Sequence, residues 1–399
     1  MSHRATLFLF FLLALPLAAQ QRVTRIEVSG TVPAEIVISQ SALAEGRSYS
    51  ESDLDAAVAR IRRLPFVYDA RWTLDGDTLR IDVTGTSRVF TEVDVISTQS
   101  DFVDDTTTFL GGGARQFLGS GMLEGAVNTI LDDFGDAARA ELSYSHYGIG
   151  GTRLFATAGV NAPLRQSDAF DPDPTWQLTV GYPLNVRQTL TASALRSGFD
   201  ANISGFDLPG PVTSEQEGLA LELRWAYDTS DDPFFARRGS ILTADHTWRS
   251  SDEAFASVIM VPPTSPEITR TRLERDGRSI GVDARQFWSV GSRSTIFGGV
   301  GVSRGEEKVR YFEVGGPVVR GESETTLSTV SLGFGHNFFD RSGAVADGRH
   351  RVELLASATR RHEDEVVFDL TDNEQVAELS YLYRRRFATV RMSVMYGWD

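Results

Sequence analysis

The chain has no cysteine, almost no lysine and, after its first twenty residues, no long apolar run. Each absence excludes something. Without cysteine there is no disulfide framework, no thiolate nucleophile and no cysteine-based metal site. With lysine nearly absent, the 39 cationic side chains are mostly arginines, spread singly among 54 carboxylates. The net charge of −15 argues against nucleic-acid binding, because neutralising phosphates takes clustered cations. Nowhere do 18 apolar residues occur together, so hydropathy offers no membrane-spanning helix.

What is present is glycine (36), phenylalanine (24) and enough chain, 399 residues, for two or three ordinary domains or one large β-domain with a small companion. The first nineteen residues stand apart. A short basic start, Met1 to Arg4, precedes a mostly apolar stretch from Ala5 that ends in the small residues Ala18 and Ala19. That layout predicts a secretory signal peptide over residues 1–19 and export from the cytoplasm.

Residues 22–86 predict a small β-α-α-β-β domain. Thr24, Ile26 and Val28 alternate with Arg25 and Glu27, as a strand does. Val32 to Leu43 has weak helical spacing. Ser50 stands three residues before Asp53 in a capping-box pattern, and Leu54, Ala57, Val58, Ile61 and Leu64 follow at helix spacing until Pro65. Trp72 and Leu74, then Leu79, Ile81 and Val83, alternate on either side of Asp75-Gly76, a hairpin signal. With Leu64-Pro65-Phe66-Val67 between the second helix and second strand, this order resembles a POTRA domain. The resemblance implies a periplasmic module that takes an unfolded polypeptide client on its sheet edges.

From Val89 to Asp399 the helical spacing disappears and period-two alternation takes over. Leu219, Leu221, Leu223, Trp225 and Tyr227 oppose Glu222 and Arg224; Trp176, Leu178, Val180 and Tyr182 oppose Gln177 and Thr179. The same pattern recurs at Val352 to Ala358, at Ala377 to Tyr383 and from Val390 to Trp398. A soluble sandwich alternates too. Three features favour a transmembrane antiparallel β-barrel: strands of about 10 to 13 residues, charges on the polar face, and aromatics near strand ends. Fourteen or fifteen strands can be marked. The longest polar interruptions, Ser167 to Pro174, Gly205 to Glu217, Ser251 to Arg270 and Asp364 to Glu374, are expected to be external loops.

Two stretches carry more specific information. Asp228-Thr-Ser-Asp-Asp-Pro-Phe-Phe-Ala-Arg-Arg-Gly239 looks like the signature of the BamA/TamA superfamily, the bacterial surface antigen family, with Asp228, Thr229, Asp231, Pro233, Phe234 and Gly239 on its pattern. Pro233 and Gly239 would bend the chain between strands, and Asp228 and Asp231 would cap freed N–H groups. Downstream, Tyr311 to Glu322 holds Gly315, Gly316 and Pro317, which rules out a regular strand there and predicts a shaped loop. Its Val319-Arg320-Gly321 resembles the tip of the family's lumen loop. By that resemblance Arg320 is a latch pairing with a carboxylate on the inner wall, and Glu353 and Glu378, inward by parity, are the candidates. Glu322 replaces the family's aromatic, and Gly333 and Ser357 stand where its wall carboxylates are expected.

The resemblance covers nearly the whole chain after residue 19 and is similar to the C-terminal part of patatin-type one-POTRA members. It implies a barrel of about sixteen strands in the outer membrane of a Gram-negative-type bacterium, with the N-terminal domain in the periplasm. The implied function is a polypeptide insertase or translocase, with the lipid bilayer and an unfolded polypeptide as partners and a separately encoded secreted protein as a further candidate. A passive pore, or a surface anchor or receptor, is the alternative. No enzyme activity, cofactor or metal is expected. None of His146, His246, His336, His350 and His362 sits in a motif with a nucleophile, and Asp245-His246 reads as two successive side chains on opposite faces.

Overall fold

The structure, a computed structural model, describes residues 20–99, 104–131, 137–165, 170–203, 212–261, 265–313, 319–338, 349–365 and 369–398. The proposed signal peptide and the Gly315 to Pro317 stretch lie outside the described residues.

The small domain contains β1 (Gln20–Val23), β2 (Arg25–Gly30), α1 (Ala34–Ser41), β3 (Arg47–Ser50), α2 (Glu51–Arg62), β4 (Val67–Asp75) and β5 (Thr78–Gly85). Two short strands, β1 and β3, pair with each other and add to the β-α-α-β-β order. Helix α2 starts where the sequence places it. The Asp53 N–H donates to Ser50 Oγ at 3.2 Å, and the Ser50 N–H donates back to Asp53 Oδ2 at 3.0 Å, a reciprocal capping box. Its apolar face buries Leu54, Ala57, Val58 and Ile61 against Leu79, Ile81 and Val83 of β5. Each full burial of a large aliphatic stabilises by about 1.5–3 kcal/mol. Gly76, at φ +64°, turns the β4–β5 hairpin. The sheet order is β2-β5-β4, with β2 parallel to β5 and both outer strands left as edges.

The remainder is one closed sheet. Its strands are β6 (Val89–Gln99), β7 (Asp104–Leu118), β8 (Gly121–Leu131), β9 (Ala137–Tyr147), β10 (Phe155–Arg165), the three-residue β11 (Phe170–Pro172), β12 (Thr175–Pro183), β13 (Gln188–Ile203), β14 (Val212–Asp228), β15 (Gly239–Val261), β16 (Ser265–Val290), β17 (Ser294–Glu313), β18 (Val319–Asn337), β19 (Arg349–Glu365), β20 (Asp369–Arg384) and β21 (Ala388–Trp398). Setting aside β11, which pairs only with β13, the described residues close a barrel of 15 strands, against the expected sixteen or so. The count has a geometric consequence. In a meander of odd number the first and last strands run the same way, and β21 pairs with β6 in parallel, Ala388 opposite Thr91 through Tyr396 opposite Gln99.

Parity along the register separates two faces. The outer one carries Leu142, Trp176, Leu219, Leu221, Ile280, Val282, Val300, Val302, Val330, Leu332, Leu354, Leu379 and Val394, all among the exposed large apolar side chains. So broad an apolar band facing outward is intolerable in water and is what a bilayer requires. The chain is therefore a membrane-spanning β-barrel of the outer-membrane type. No described helix is long and apolar enough to cross a membrane.

The wall has two heights. Strands β8, β9, β10 and β21 run 11 residues, about what a tilted crossing needs, whereas β15 has 23 and β16 has 26. At about 3.3 Å per residue, β16 is about 85 Å long and rises far beyond the hydrocarbon core. The expectation of external loops over Ser251 to Arg270 and Gly205 to Glu217 is corrected accordingly. Ser251 to Val261, Ser265 to Arg270 and Val212 to Glu217 are strand. Apolar alternation stops where the bilayer stops, but the hydrogen-bonded ladder continues with ion-paired rungs such as Arg272 with Asp252 (3.0 Å) and Lys308 with Glu322 (3.1 Å).

Candidate functional site at the barrel mouth

The small domain sits at the end of the barrel where β6 begins, and barrel residues join its core. Met122, Tyr147 and Val186 belong to the same buried cluster as Ile36, Ile61 and Val83, with Phe117 and Phe155 packed against it. Phe66, 1% exposed, meets the rings of Phe117 and Tyr147 edge-on at 5.3 and 5.6 Å. Inward aromatics near this end are seated over glycines. Phe155 lies opposite Gly181 and Phe297 opposite Gly333, and a Cβ on either glycine would fall 2.1 Å from the facing ring.

The signature stretch is the connection between β14 and β15, and its residues fold it into a knot. The Ser230 N–H donates to Asp228 Oδ1 at 2.7 Å. Thr229 Oγ1 accepts from the Ser240 N–H at 2.9 Å, while Asp231 Oδ1 accepts from Arg237 N–H at 2.8 Å and Arg238 N–H at 3.3 Å. Asp232, which the signature does not mark, accepts from Phe234 N–H and Phe235 N–H, both at 3.0 Å. Pro233 lies between Asp232 and Phe234 in the sequence. Gly239 holds φ +105°, and a Cβ there would lie 2.3 Å from the Thr229 carbonyl oxygen, so only glycine fits.

This knot touches the small domain on one side and distant strands on the other. Arg63, at the C-cap of α2, donates to Ser230 Oγ at 2.9 Å and pairs with Asp228, and Arg62 Nη1 donates to the Asp231 carbonyl at 3.3 Å. Across the mouth, Arg384 at the end of β20 stacks 3.8 Å above the Phe234 ring and donates to the Val67 carbonyl at 2.9 Å. Arg349 of β19 bridges Asp69 (2.9 Å) and Asp232 (3.4 Å). Arg351 donates to the Ala236 carbonyl at 3.1 Å and to Glu353 Oε2 at 2.8 Å.

Burial shapes the charges of the small domain. It works against ionisation of Asp69, but Arg349, Arg62 and Arg71 outweigh it and hold the carboxyl below the usual carboxylate range. Burial drives the Arg60 guanidinium down to about 10, with repulsion from Arg63 and Arg153 adding to it, so it stays charged at neutral pH. It likewise raises the Tyr68 phenol, against the pull of Arg349 and Arg384, and keeps it neutral.

The expected latch is not assembled. Val319, Arg320 and Gly321 open β18 in ladder with β17, Arg320 directly opposite Arg310. Arg320 shares the parity of Val330, Leu332 and Phe334 and so lies on the outer face, exposed, while Glu353 and Glu378 have inward parity. Glu353 pairs across to Gly335, fifteen residues along β18 from Arg320, or about 50 Å. Glu378, opposite Leu355 and through it Gly333, is more than about 40 Å away. Among the described residues, an inner-wall arginine that does hold a turn while paired with a wall carboxylate is Arg351, with Glu353. Its one sequence signal is Gly335 on the neighbouring strand, where a Cβ would collide with the Arg351 guanidinium. Arg349 and Arg384 left no signal in the alternation.

No family model matches the chain, and no curated protein does. Among solved structures, similar chains include BamA from Haemophilus ducreyi lacking POTRA domains 1–3, at 11% identity and a TM-score of 0.36, covering 95% of this chain and 85% of that one. CdiB from Acinetobacter baumannii is similar at 9% identity and a TM-score of 0.40, covering 95% and 74%. The ferric citrate transporter FecA in its unliganded form is similar at 9% identity and a TM-score of 0.32, covering 77% and 58%.

Proposed function

We propose that this chain is an outer-membrane insertase or translocase of polypeptides, a distant member of the BamA/TamA superfamily, with residues 22–86 acting as its periplasmic, POTRA-like client module. The turn 229–238 carries the reading. It binds α2 of the small domain through Arg62 and Arg63 and the far wall through Arg349, Arg351 and Arg384. A client that moves the domain therefore moves a turn tied to four strands of the barrel, β14, β15, β19 and β20. The outer strands β2 and β4 have no strand partner on their far sides, the place where an extended client would add. The work is strand templating beside the bilayer; no covalent chemistry and no cofactor are needed. The outer lumen supports the alternative of a passive pore or receptor, since a cavity of about 560 Å³ there is lined by Arg249, Arg275, Arg361, Glu307 and Glu363.

The test uses the full chain in lipid vesicles supplied with an unfolded outer-membrane polypeptide. Folding or internalisation of that client, read by heat-modifiable gel mobility and protease protection, should be faster than in protein-free vesicles. Equal rates would sink the translocase reading and leave the pore.

A further inference from the structure

We infer that the lipid-facing wall of this barrel carries a site for one anionic, phosphate-bearing lipid. Its hydrocarbon lies in an apolar groove across β9, β10, β12 and β13, and its phosphate meets Arg196 at the rim farther from the small domain. The site needs only that the barrel stands in a bilayer, so it does not rest on the translocase reading.

The groove is a consequence of register. On the outer face Ala158 lies between Tyr144 and Leu178 across the ladder, and Ala194 between Leu178 and Leu221. Two residues farther from the small domain, Trp176 lies between Val160 and Arg196. The short side chains leave a cavity of about 460 Å³ between the bulky ones, within the size range of small-ligand sites. Arg196 is the only charged residue among those lining it. Leu142, Trp176, Leu178 and Leu219 on its walls belong to the exposed apolar band, so the groove opens on hydrocarbon and lipid chains are what fill it.

The charges above the groove select the headgroup. On β13, β16, β17 and β19 the first outward charge past the apolar edge is an arginine: Arg196 after Ala194, Arg278 after Ile280, Arg304 after Val302 and Arg360 after Ala358. Carboxylates stand farther out. Glu217 is two residues beyond Leu219, the cross-strand neighbour of Arg196, and Glu324 two residues beyond Thr326, the neighbour of Arg304. Cations at the edge of the hydrocarbon with anions behind them complement a layer of lipid phosphates. Arg196 Nη2 donates to Glu217 Oε1 at 3.0 Å, with the two side chains 62% and 56% exposed. So exposed a pair contributes little, and the remaining guanidinium N–H groups are open to a phosphate, which their planar fork fits. Trp176 adds an indole N–H that makes no hydrogen bond among the described residues, at the depth where tryptophan meets headgroups.

The test is native mass spectrometry of the full chain, released from detergent micelles doped with phosphatidylglycerol or with phosphatidylcholine of the same chains. The parent should keep one phosphatidylglycerol and hold phosphatidylcholine more weakly. Arg196→Gln should weaken phosphatidylglycerol binding by about fivefold, the worth of one cation at a membrane surface. Glu217→Gln breaks the same ion pair from the other side and should leave binding as tight or tighter, which a merely structural role for the pair would not allow. Ala194→Phe fills the groove, keeps the arginine and should also lose the lipid. Arg304→Gln, likewise first past the apolar edge but outside the groove, should keep it. Heat-modifiable mobility shows whether each variant is folded, and Ala158→Phe replaces Ala194→Phe if that one is not, with the same expectation. Excess glycerol phosphate should fail to displace the lipid; displacement would make Arg196 a site for free phosphate and overturn the lipid. Equal retention of the two lipids, or equal losses from Arg196→Gln and Arg304→Gln, would overturn the site.

Discussion

Ion pairs at the two ends of this barrel use the same residue types and differ in their surroundings. At the mouth, Asp69 and Arg349 are 5% and 14% exposed in their side chains; on the tall outer wall, Arg304 and Glu324 are 64% and 40% exposed. Exposed pairs contribute about 0–1 kcal/mol, whereas removing one partner of a buried pair costs about 3–5 kcal/mol because its mate stays desolvated. The outer lattice can therefore vary almost freely while it keeps strands charged and soluble beyond the bilayer. The mouth cannot: its charges, aromatics and glycines are mutually fitted, and they hold two parts of the chain together.

The largest effect that would sharpen this contrast is at Phe297. Its ring is fully buried against Phe287 and Ala236 at the mouth, so Phe297→Ala should destabilise by about 3–5 kcal/mol. Ser303→Ala, higher on the same strand in the polar lumen, should stay within about 0.5 kcal/mol. The temperature at which gel mobility shifts would rank the two, and equal shifts would break the comparison.

Asp69→Ala comes next, at about 3–5 kcal/mol, since it strips a shared partner from Arg62 and Arg349. The pH dependence follows from the same group. Its folded value is depressed, so its contribution is complete above the unfolded value and is lost as pH falls through the folded one. Proteolysis of the small domain should be flat from about pH 5 to 8 and rise only below the ordinary carboxylate range near about 4. A rise already near neutrality would point to another group.

Gly333→Ala should cost about 1–3 kcal/mol, because the new methyl enters the space of the Phe297 ring. Combining it with Phe297→Leu should recover part of the loss, a coupling that a mutant cycle would detect. Least of all, Arg320→Ala and Glu324→Ala on the outer wall should change stability by less than about 1 kcal/mol. External protease should cut both variants as it cuts the parent; selective cleavage after Arg320→Ala would restore the latch that the register denies.

Most of the fold was legible because period and punctuation are local properties. The capping box at Ser50 and Asp53, the Asp75-Gly76 hairpin and the outward stripe of β14 each follow from a few neighbouring residues. Two kinds of feature were not legible. Beyond the bilayer, strand residues such as Ser251, Asp252 and Glu253 need no apolar face, so the ladder continues under a sequence that reads as loop. At the mouth, Arg349, Arg351 and Arg384 take meaning only from chain that arrives from far away in sequence: Asp69, Ala236, Phe234 and Val67. For the same reason Arg320, chosen by its local motif, fell on the wrong face, since parity is counted through the strand and not through the motif.

The central claim, that the small domain is packed against the barrel mouth, is most directly tested by thiol labelling at the β12–β13 turn. Val186 is 8% exposed and buried among small-domain residues, whereas Leu184, two residues before it, is 44% exposed. With no native cysteine, Val186→Cys and Leu184→Cys can each be reacted with a small maleimide in the full chain. The account predicts that Leu184→Cys labels at once and Val186→Cys far more slowly, with Arg62→Ala/Arg63→Ala speeding only the latter. Equal, rapid labelling at both positions would show that the domain does not sit in the mouth.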